Sequence, residues 1–246
     1  SFSSILSSIS PIISRIQDKE YKIFQNLMRR KVDGIIVQPA SRKEEHFLAC
    51  IDAGIPVVSL EETSNERISF VKGHDYQTAY RLTRECIRQG HCKIVFLTFL
   101  FDCIGLNERV RGFCTAIKEA GIAKQCKVIT AEELSLEAVK KAFADWQQEF
   151  SLVLGSDDRI ACLALRILTE RGIKIPETVS ILGWNNSRFL EYLTPPLASI
   201  SIPMEKIGCR AAQIILKNLN EGPTVSKEYV DEKFFLRESF APFHFK

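Results

Sequence analysis

Polar and charged side chains follow several apolar runs of the sequence, at the point where each run ends. Gln38 follows GIIV, Glu61 follows PVVSL, Asp157 and Asp158 follow LVLGS, and Asn185 follows VSILGW. Arg109 opens a helical stretch after FLTFL. Carboxylates and amides supply acceptors, and a guanidinium supplies rigid donors. A small polyhydroxylated ligand requires this mixture, because each hydroxyl group both donates and accepts a hydrogen bond. The sequence therefore predicts a ligand-binding site at these positions.

Each of these residues also has a purely structural interpretation. Asp158 precedes an apolar helical stretch, where aspartate is a favoured N-cap, so we assign the cap to Asp158 and leave Asp157 for the ligand. Asn185 and Asn186 also suit a turn, and Glu61 also suits a solvated loop. Taken singly, the structural interpretation is favoured for each residue. Their recurrence at four ends of apolar runs favours a site.

Short β-branched runs alternate with amphipathic stretches along the chain. Helices are predicted over 1–16, 20–30, 43–53, 75–89, 108–120, 135–148 and 158–171, and strands over 32–39, 54–61, 67–72, 93–99, 126–130, 150–155 and 179–184. The strands are continuous apolar runs, which is typical of parallel strands covered on both faces. Two such sets predict an α/β fold of two lobes, each a doubly wound parallel sheet. Such sheets bind ligands at the carboxyl ends of their strands.

Composition excludes several classes of protein. The chain has 246 residues, a net charge of +3 and eight cysteines, none in a C-x-x-C pair. The charge is too small to indicate nucleic-acid binding, and no apolar run has membrane-spanning length. The cysteine pattern favours reduced thiols in the cytoplasm. No phosphate-binding glycine loop, catalytic constellation or metal-ligand spacing is present, so we expect no enzyme activity, cofactor or metal.

Several motifs occur together in a characteristic order. They are VDGIIVQP, GIPVVSLE, RQGHCKIVFL, RVRGFCTAI, SDDRIACLALRILTERGIKIPETVSILGWNN, LTPPLASISIPMEKIGCRAAQIIL and FFLRES. As a linked set they resemble the effector-binding core of the lactose-repressor/galactose-repressor family of transcription regulators. The resemblance covers most of the chain from Glu20 to Ser239. It implies a periplasmic-binding-protein-like fold with a ligand cleft between two lobes.

The resemblance also implies which residues contact the ligand. They are Phe2, Gln38, Glu61, Arg109, Asp157 and Asn185. Arg109, rather than Arg111, matches the ligand arginine of the family's Arg-x-x-Gly-Phe motif. Asp157 stands where the family usually has a ligand-contacting Asn, and Asn185 where it usually has an Asp. Core packing is an equally good explanation for Phe2.

The function implied by the resemblance is ligand sensing by a cytoplasmic DNA-binding repressor. A sugar or sugar derivative would bind between the lobes of a homodimer, and operator DNA would be contacted through a helix-turn-helix domain that this chain lacks. The alternative is a secreted sugar-binding protein of a transporter with the same fold. The implied lobes are residues 1–98 with 203–222, and residues 99–202 with 223–246, with crossings near Thr98, Ile202 and Gly222.

Two strands of the family pattern lack counterparts in the sequence. One would precede Ser1, and the other would follow Ile16, where the chain runs directly into Gln17. We therefore expect that the sequence joins segments of a longer chain.

Overall fold

A computed structural model of the protein describes residues 18–40, 42–100, 104–144 and 149–243. The predicted helix over 1–16, and with it Phe2, lies outside the described residues. So do the two junctions at which the sequence predicts missing strands.

The described elements alternate between strand and helix. In chain order they are α1 (18–29), β1 (Ile35–Val37), α2 (Glu45–Asp52), β2 (Val57–Ser59), β3 (Ser69–Gly73), α3 (Asp75–Arg88), β4 (Ile94–Phe99), α4 (Ile104–Glu119), β5 (Lys127–Ala131), α5 (Leu136–Ala144), β6 (Leu152–Gly155), α6 (Asp158–Glu170), β7 (Ser180–Trp184), β8 (Ala198–Ser201), α7 (Met204–Glu221), β9 (Lys227–Val230) and β10 (Lys233–Phe235). Each predicted strand and helix within the described residues is present. None of the described helices has the length and apolar character needed to span a bilayer.

The strands form two sheets. The first has the order β1-β2-β3-β9, and its strands are parallel. The second has the order β10-β8-β7-β6-β4-β5, in which only β10 runs antiparallel to its neighbour. The predicted α/β class with two mainly parallel sheets is confirmed. Strands buried along their whole length, such as β4, explain the continuous apolar runs.

The chain forms two compact units. The first unit contains the described residues up to Gly73 together with Pro203–Val230, and its core includes Phe24, Phe47 and Val57. The second contains the described residues of 74–100 together with Gly105–Ile202 and 231–243. Its core joins α3 and α4 to the second sheet.

The unit boundaries differ from the sequence-based ones at two places. Residues 74–98 were expected in the first lobe but lie in the second unit, because Ala79, Leu82 and Cys86 of α3 pack in the same core as Phe96 and Phe113. Residues 223–230 were expected in the second lobe but lie in the first unit, because β9 pairs with β3. The passage from β8 to α7 occurs after Ile202.

Candidate functional site

Arg109 is the centre of a buried cluster in the second unit, which we call the arginine cluster (Asp75, Arg109, Ser156 and Trp184). Its Nε donates to Asp75 Oδ1 at 2.8 Å, and its Nη1 donates to the backbone oxygen of Ser156 at 2.7 Å. The guanidinium carbon lies 4.5 Å from the ring centroid of Trp184. Among the described residues, these hydrogen bonds use Nε and Nη1 of the guanidinium.

The elements of the second unit explain why these residues meet. Asp75 is the first residue of α3 after β3, Ser156 comes directly after β6, and Trp184 ends β7. Since β4, β6 and β7 are parallel neighbours, the residues at their carboxyl ends gather at one edge of the sheet. Arg109, one turn into α4, reaches this edge and is only 7% exposed. A buried arginine fixed by a carboxylate is pre-organised to hold a polar group.

The N-cap of α6 is not the aspartate that the sequence suggested. Asp157, not Asp158, is the N-cap of α6, because its Oδ1 accepts the backbone N–H of Ile160 at 3.0 Å. Its Oδ2 accepts from the exposed Arg159 side chain. The assignment of the cap to Asp158 was wrong, because either carboxylate precedes the same apolar face and only the backbone conformation separates them.

Asp158 instead links α6 to two neighbouring segments. Its Oδ1 accepts from the Ser199 hydroxyl at 2.6 Å, and its Oδ2 accepts from the Ser187 backbone N–H at 2.7 Å. Burial raises the pKa of the Asp158 carboxyl above its usual 3.8, and the two hydrogen bonds partly oppose that rise. A side chain at Gly183 would place Cβ 2.5 Å from Asp158 Oδ1, which explains the glycine in Gly183-Trp184-Asn185.

Asn185 and Asn186 form the turn after β7 in strained conformations. Their φ angles are +106° and +51°, a region that asparagine tolerates better than most residues. The Asn185 N–H donates to the Ile200 oxygen at 2.7 Å, while its residue surface is exposed. The turn interpretation agrees with this backbone conformation, and the ligand-contacting role of Asn185 stays a prediction.

Three residues form a second group in the first unit, which we call the glutamate cluster (Gln38, Glu61 and Lys72). Gln38 Nε2 donates to Glu61 Oε1 at 2.9 Å, and Lys72 Nζ lies 3.5 Å from Glu61 Oε2. Glu61 and Lys72 are 8% and 3% exposed. Gln38 and Glu61 come after β1 and β2, and Lys72 lies near the end of β3, so the parallel register brings them to one edge.

The structure thus gathers Gln38 and Glu61 in one unit, and Arg109, Asp157 and Asn185 in the other. Sequence reasoning missed Lys72, Asp75 and Trp184 as partners of these residues. A signal was available for Asp75, because it comes after a strand just as the other candidates do. No sequence signal places Trp184 over Arg109, because strand and helix meet only in the folded unit.

Comparison with known proteins agrees with this architecture. Residues 83–240 match a family model described as a periplasmic binding protein-like domain. The chain is 29% identical over 213 residues to the HTH-type transcriptional repressor PurR of Vibrio vulnificus, covering 84% of this chain and 63% of that protein. It is 28% identical over 213 residues to catabolite control protein A of Priestia megaterium, covering 83% and 63%. The chain therefore spans less than two thirds of the length of these regulators.

A solved structure shows the same fold. The LacI family transcriptional regulator of Enterococcus faecium, with bound ribose, superposes with a TM-score of 0.81 at 22% identity, covering 98% of this chain and 95% of that one. The sequence resemblance to the LacI/GalR regulators is confirmed by the family model and by these relatives. The chain belongs to the periplasmic binding protein-like family, and within it resembles the LacI/GalR regulators.

Proposed function

We propose that this chain is the ligand-sensing core of a cytoplasmic transcriptional repressor, which binds a small sugar or sugar derivative and couples that binding to operator DNA. The observation that carries the proposal is the arginine cluster: a buried guanidinium, fixed by Asp75 and stacked on Trp184, at the carboxyl edge of a parallel sheet. The hydroxyl groups of sugars form hydrogen bonds with guanidinium and amide groups.

The ligand contacts that we propose come from both units. Arg109 and Asn185 offer donors and acceptors in the second unit, and Gln38 and Glu61 do so in the first. Asp157 would contact a ligand through Oδ2, which requires the exposed Arg159 side chain to share or leave that oxygen. Phe2 stays a prediction, as does the location of the ligand between two lobes.

The relatives favour sensing over the alternative of a transporter-associated binding protein. Both curated relatives are transcription regulators, and the ribose-bound neighbour is one as well. We further propose that the protein acts without turnover, as a homodimer. The DNA contact would come from a helix-turn-helix domain outside the present sequence. Coupling requires that the ligand bind one conformation better than the other.

A thermal-shift screen tests the proposal. D-ribose is the first probe, followed by other neutral sugars, sugar phosphates, nucleosides and purines. A compound that binds the native state raises the melting temperature as its concentration rises. We expect a neutral sugar to do so. In Asn185→Ala, the sugar concentration needed for the same rise in melting temperature should be at least about tenfold higher. A purine or a phosphorylated compound as the sole hit would overturn the ligand class.

Asn107→Ala is the matched control, because Asn107 is an exposed asparagine on α4. It removes the same amide from the same unit and should leave the thermal shift unchanged. An equal loss in both variants would show that the shift does not report on the proposed site.

A further inference from the structure

Two acidic residues stand just beyond points where the chain passes from the first unit to the second. The first passage comes after Gly73 and leads to Asp75; the second comes after Val230 and leads to Glu232. Gly73 and Val230 are partners in the parallel register of β3 and β9. The ends of β3 and β9 therefore lie side by side, and each acid follows its strand by two residues.

Asp75, the acid that follows β3, is bonded to Arg109. Its Oδ1 accepts from Arg109 Nε, and its side chain is 7% exposed. A Cβ on Gly105 would lie 3.1 Å from Asp75 Oδ2, so the glycine lets the start of α4 approach the carboxylate. The position of Asp75 thus fixes the position of the guanidinium.

Glu232 is bonded to α3, the helix that begins at Asp75. Its Oε2 accepts from the Thr78 hydroxyl at 2.8 Å, whereas its Oε1 is buried and has no hydrogen-bond partner within the described residues. Burial and the negative charge of Asp75 raise the pKa of Glu232 above its usual 4.5, although the bond from Thr78 opposes this. A protonated Oε1 would become a donor, which changes what this buried atom can bind.

Other charged groups lie near Asp75 and Glu232. His74 Nε2 lies 3.7 Å from Asp231 Oδ1, on the residues that immediately precede the two acids. Arg109 faces Asp75 from α4. The environment of Glu232 therefore contains the acids Asp75 and Asp231 and the bases His74 and Arg109.

We propose that Glu232 is a proton-dependent positioning residue for Arg109, acting through Asp75 where both passages enter the second unit. An ionised Glu232 repels the Asp75 carboxylate that holds the guanidinium. A protonated Glu232 no longer repels Asp75 and can donate a hydrogen bond from Oε1. The Asp75–Arg109 pair then holds a single fixed position. Its relevance to ligand sensing rests on the proposed function of Arg109, but the cluster can be tested without any ligand.

Trp184 supplies the readout, because its ring stacks on the Arg109 guanidinium. The sequence has two tryptophans, so a Trp146→Phe background leaves Trp184 as the sole emitter. The emission is titrated from about pH 4 to about pH 8, a range that brackets a raised carboxyl pKa. We expect one transition with a midpoint above 4.5, the usual pKa of glutamate. Glu232→Gln should abolish it and hold the emission near its low-pH value.

Thr78→Val keeps the test decisive if Glu232→Gln does not fold. Loss of the hydroxyl donor removes an interaction that lowers the pKa of Glu232, so the midpoint should move to higher pH. Glu85→Gln is the control on the same helix, because the pKa of Glu85, lowered to about 2 by Arg88, lies below the titrated range. Its midpoint should equal that of the parent.

Two results would overturn the proposal. One is a flat emission across the range. The other is a transition that keeps its midpoint in Glu232→Gln or in Thr78→Val, which would assign it to Asp158, whose carboxyl lies against Gly183 beside Trp184. Failure of every sugar to bind would refute the proposed function but leave this titration unaffected.

Discussion

The arginine cluster of the second unit and the glutamate cluster of the first are both buried ion pairs at a strand edge, but they are built differently. Arg109 bonds to Asp75 at 2.8 Å and to a backbone oxygen, and it stacks on Trp184. Lys72 stands 3.5 Å from Glu61, which is longer than a charge-assisted hydrogen bond. Glu61 is held instead by Gln38 and by the Ser59 hydroxyl at its backbone N–H.

This difference is one of geometry. A guanidinium offers its donors in a rigid plane, so the bonds of Arg109 to Asp75 and to Ser156 fix its orientation. An ammonium lacks that planar fork, so the pairing of Lys72 with Glu61 fixes the orientation of its charged group less strictly.

Removing one charge from each ion pair is expected to give the largest difference in the free energy of unfolding between the two clusters. Asp75→Ala leaves the buried guanidinium of Arg109 without its carboxylate, and should lower the free energy of unfolding by about 3–5 kcal/mol. Lys72→Met should cost about 2 kcal/mol, because Glu61 keeps its bond from Gln38. Urea unfolding of both variants measures the difference. Equal losses would contradict the contrast between the two clusters.

Asp157 and Asp158 should contribute unequally to the stability of the second unit. Asp158→Ala removes the acceptor of the Ser199 hydroxyl and of the Ser187 N–H, and should cost about 2–4 kcal/mol. Asp157→Ala removes one N-cap and should cost about 1 kcal/mol. Thermal denaturation ranks the two variants. A larger loss of stability for Asp157→Ala would show that the N-cap stabilises the unit more than the hydrogen bonds of Asp158 do.

Substitutions at two glycines allow the tightness of packing in the two units to be compared. A Cβ on Gly112 would lie 2.3 Å from the Tyr76 backbone oxygen, where α4 crosses α3. A Cβ on Gly34 would meet the Ile215 side chain at 2.5 Å, and that side chain can rotate away. Gly112→Ala should therefore cost about 2–3 kcal/mol and Gly34→Ala about 1 kcal/mol, as measured by chemical denaturation. The reverse order would place the tighter packing in the first unit.

The smallest expected effect is a change with pH. Because the folded-state pKa of Asp158 is raised, the folded state binds its proton more tightly than the unfolded state does. The wild-type protein should therefore lose stability relative to Asp158→Asn as pH rises above 3.8, by at most about 1.4 kcal/mol per pH unit. Denaturation of both proteins at several pH values measures this slope. A slope of the opposite sign would show that hydrogen bonding outweighs burial.

Sequence patterns predicted the elements well and the contacts between them poorly. Apolar runs such as IVFLTF and LVLG located β4 and β6, because strands buried on both faces allow few polar residues. The stacking of Arg109 on Trp184 was not predictable, because it joins elements that are 75 positions apart in the sequence (184 − 109). The N-cap of α6 was assigned to Asp158 instead of Asp157, because capping depends on backbone angles that both sequence positions permit.

Calorimetric titration of Arg109→Lys and Arg111→Lys tests whether the arginine cluster holds the ligand. The ligand is D-ribose, or the compound with the largest shift in the thermal screen. Both variants keep the charge, but only Arg109 sits on Trp184 and Asp75, whereas Arg111 lies over Tyr76 and pairs with Glu108. The account expects at least about tenfold weaker binding for Arg109→Lys, because lysine cannot form the same fixed fork. Arg111→Lys should bind as the wild type does. Wild-type affinity in Arg109→Lys would contradict the claim that the arginine cluster holds the ligand.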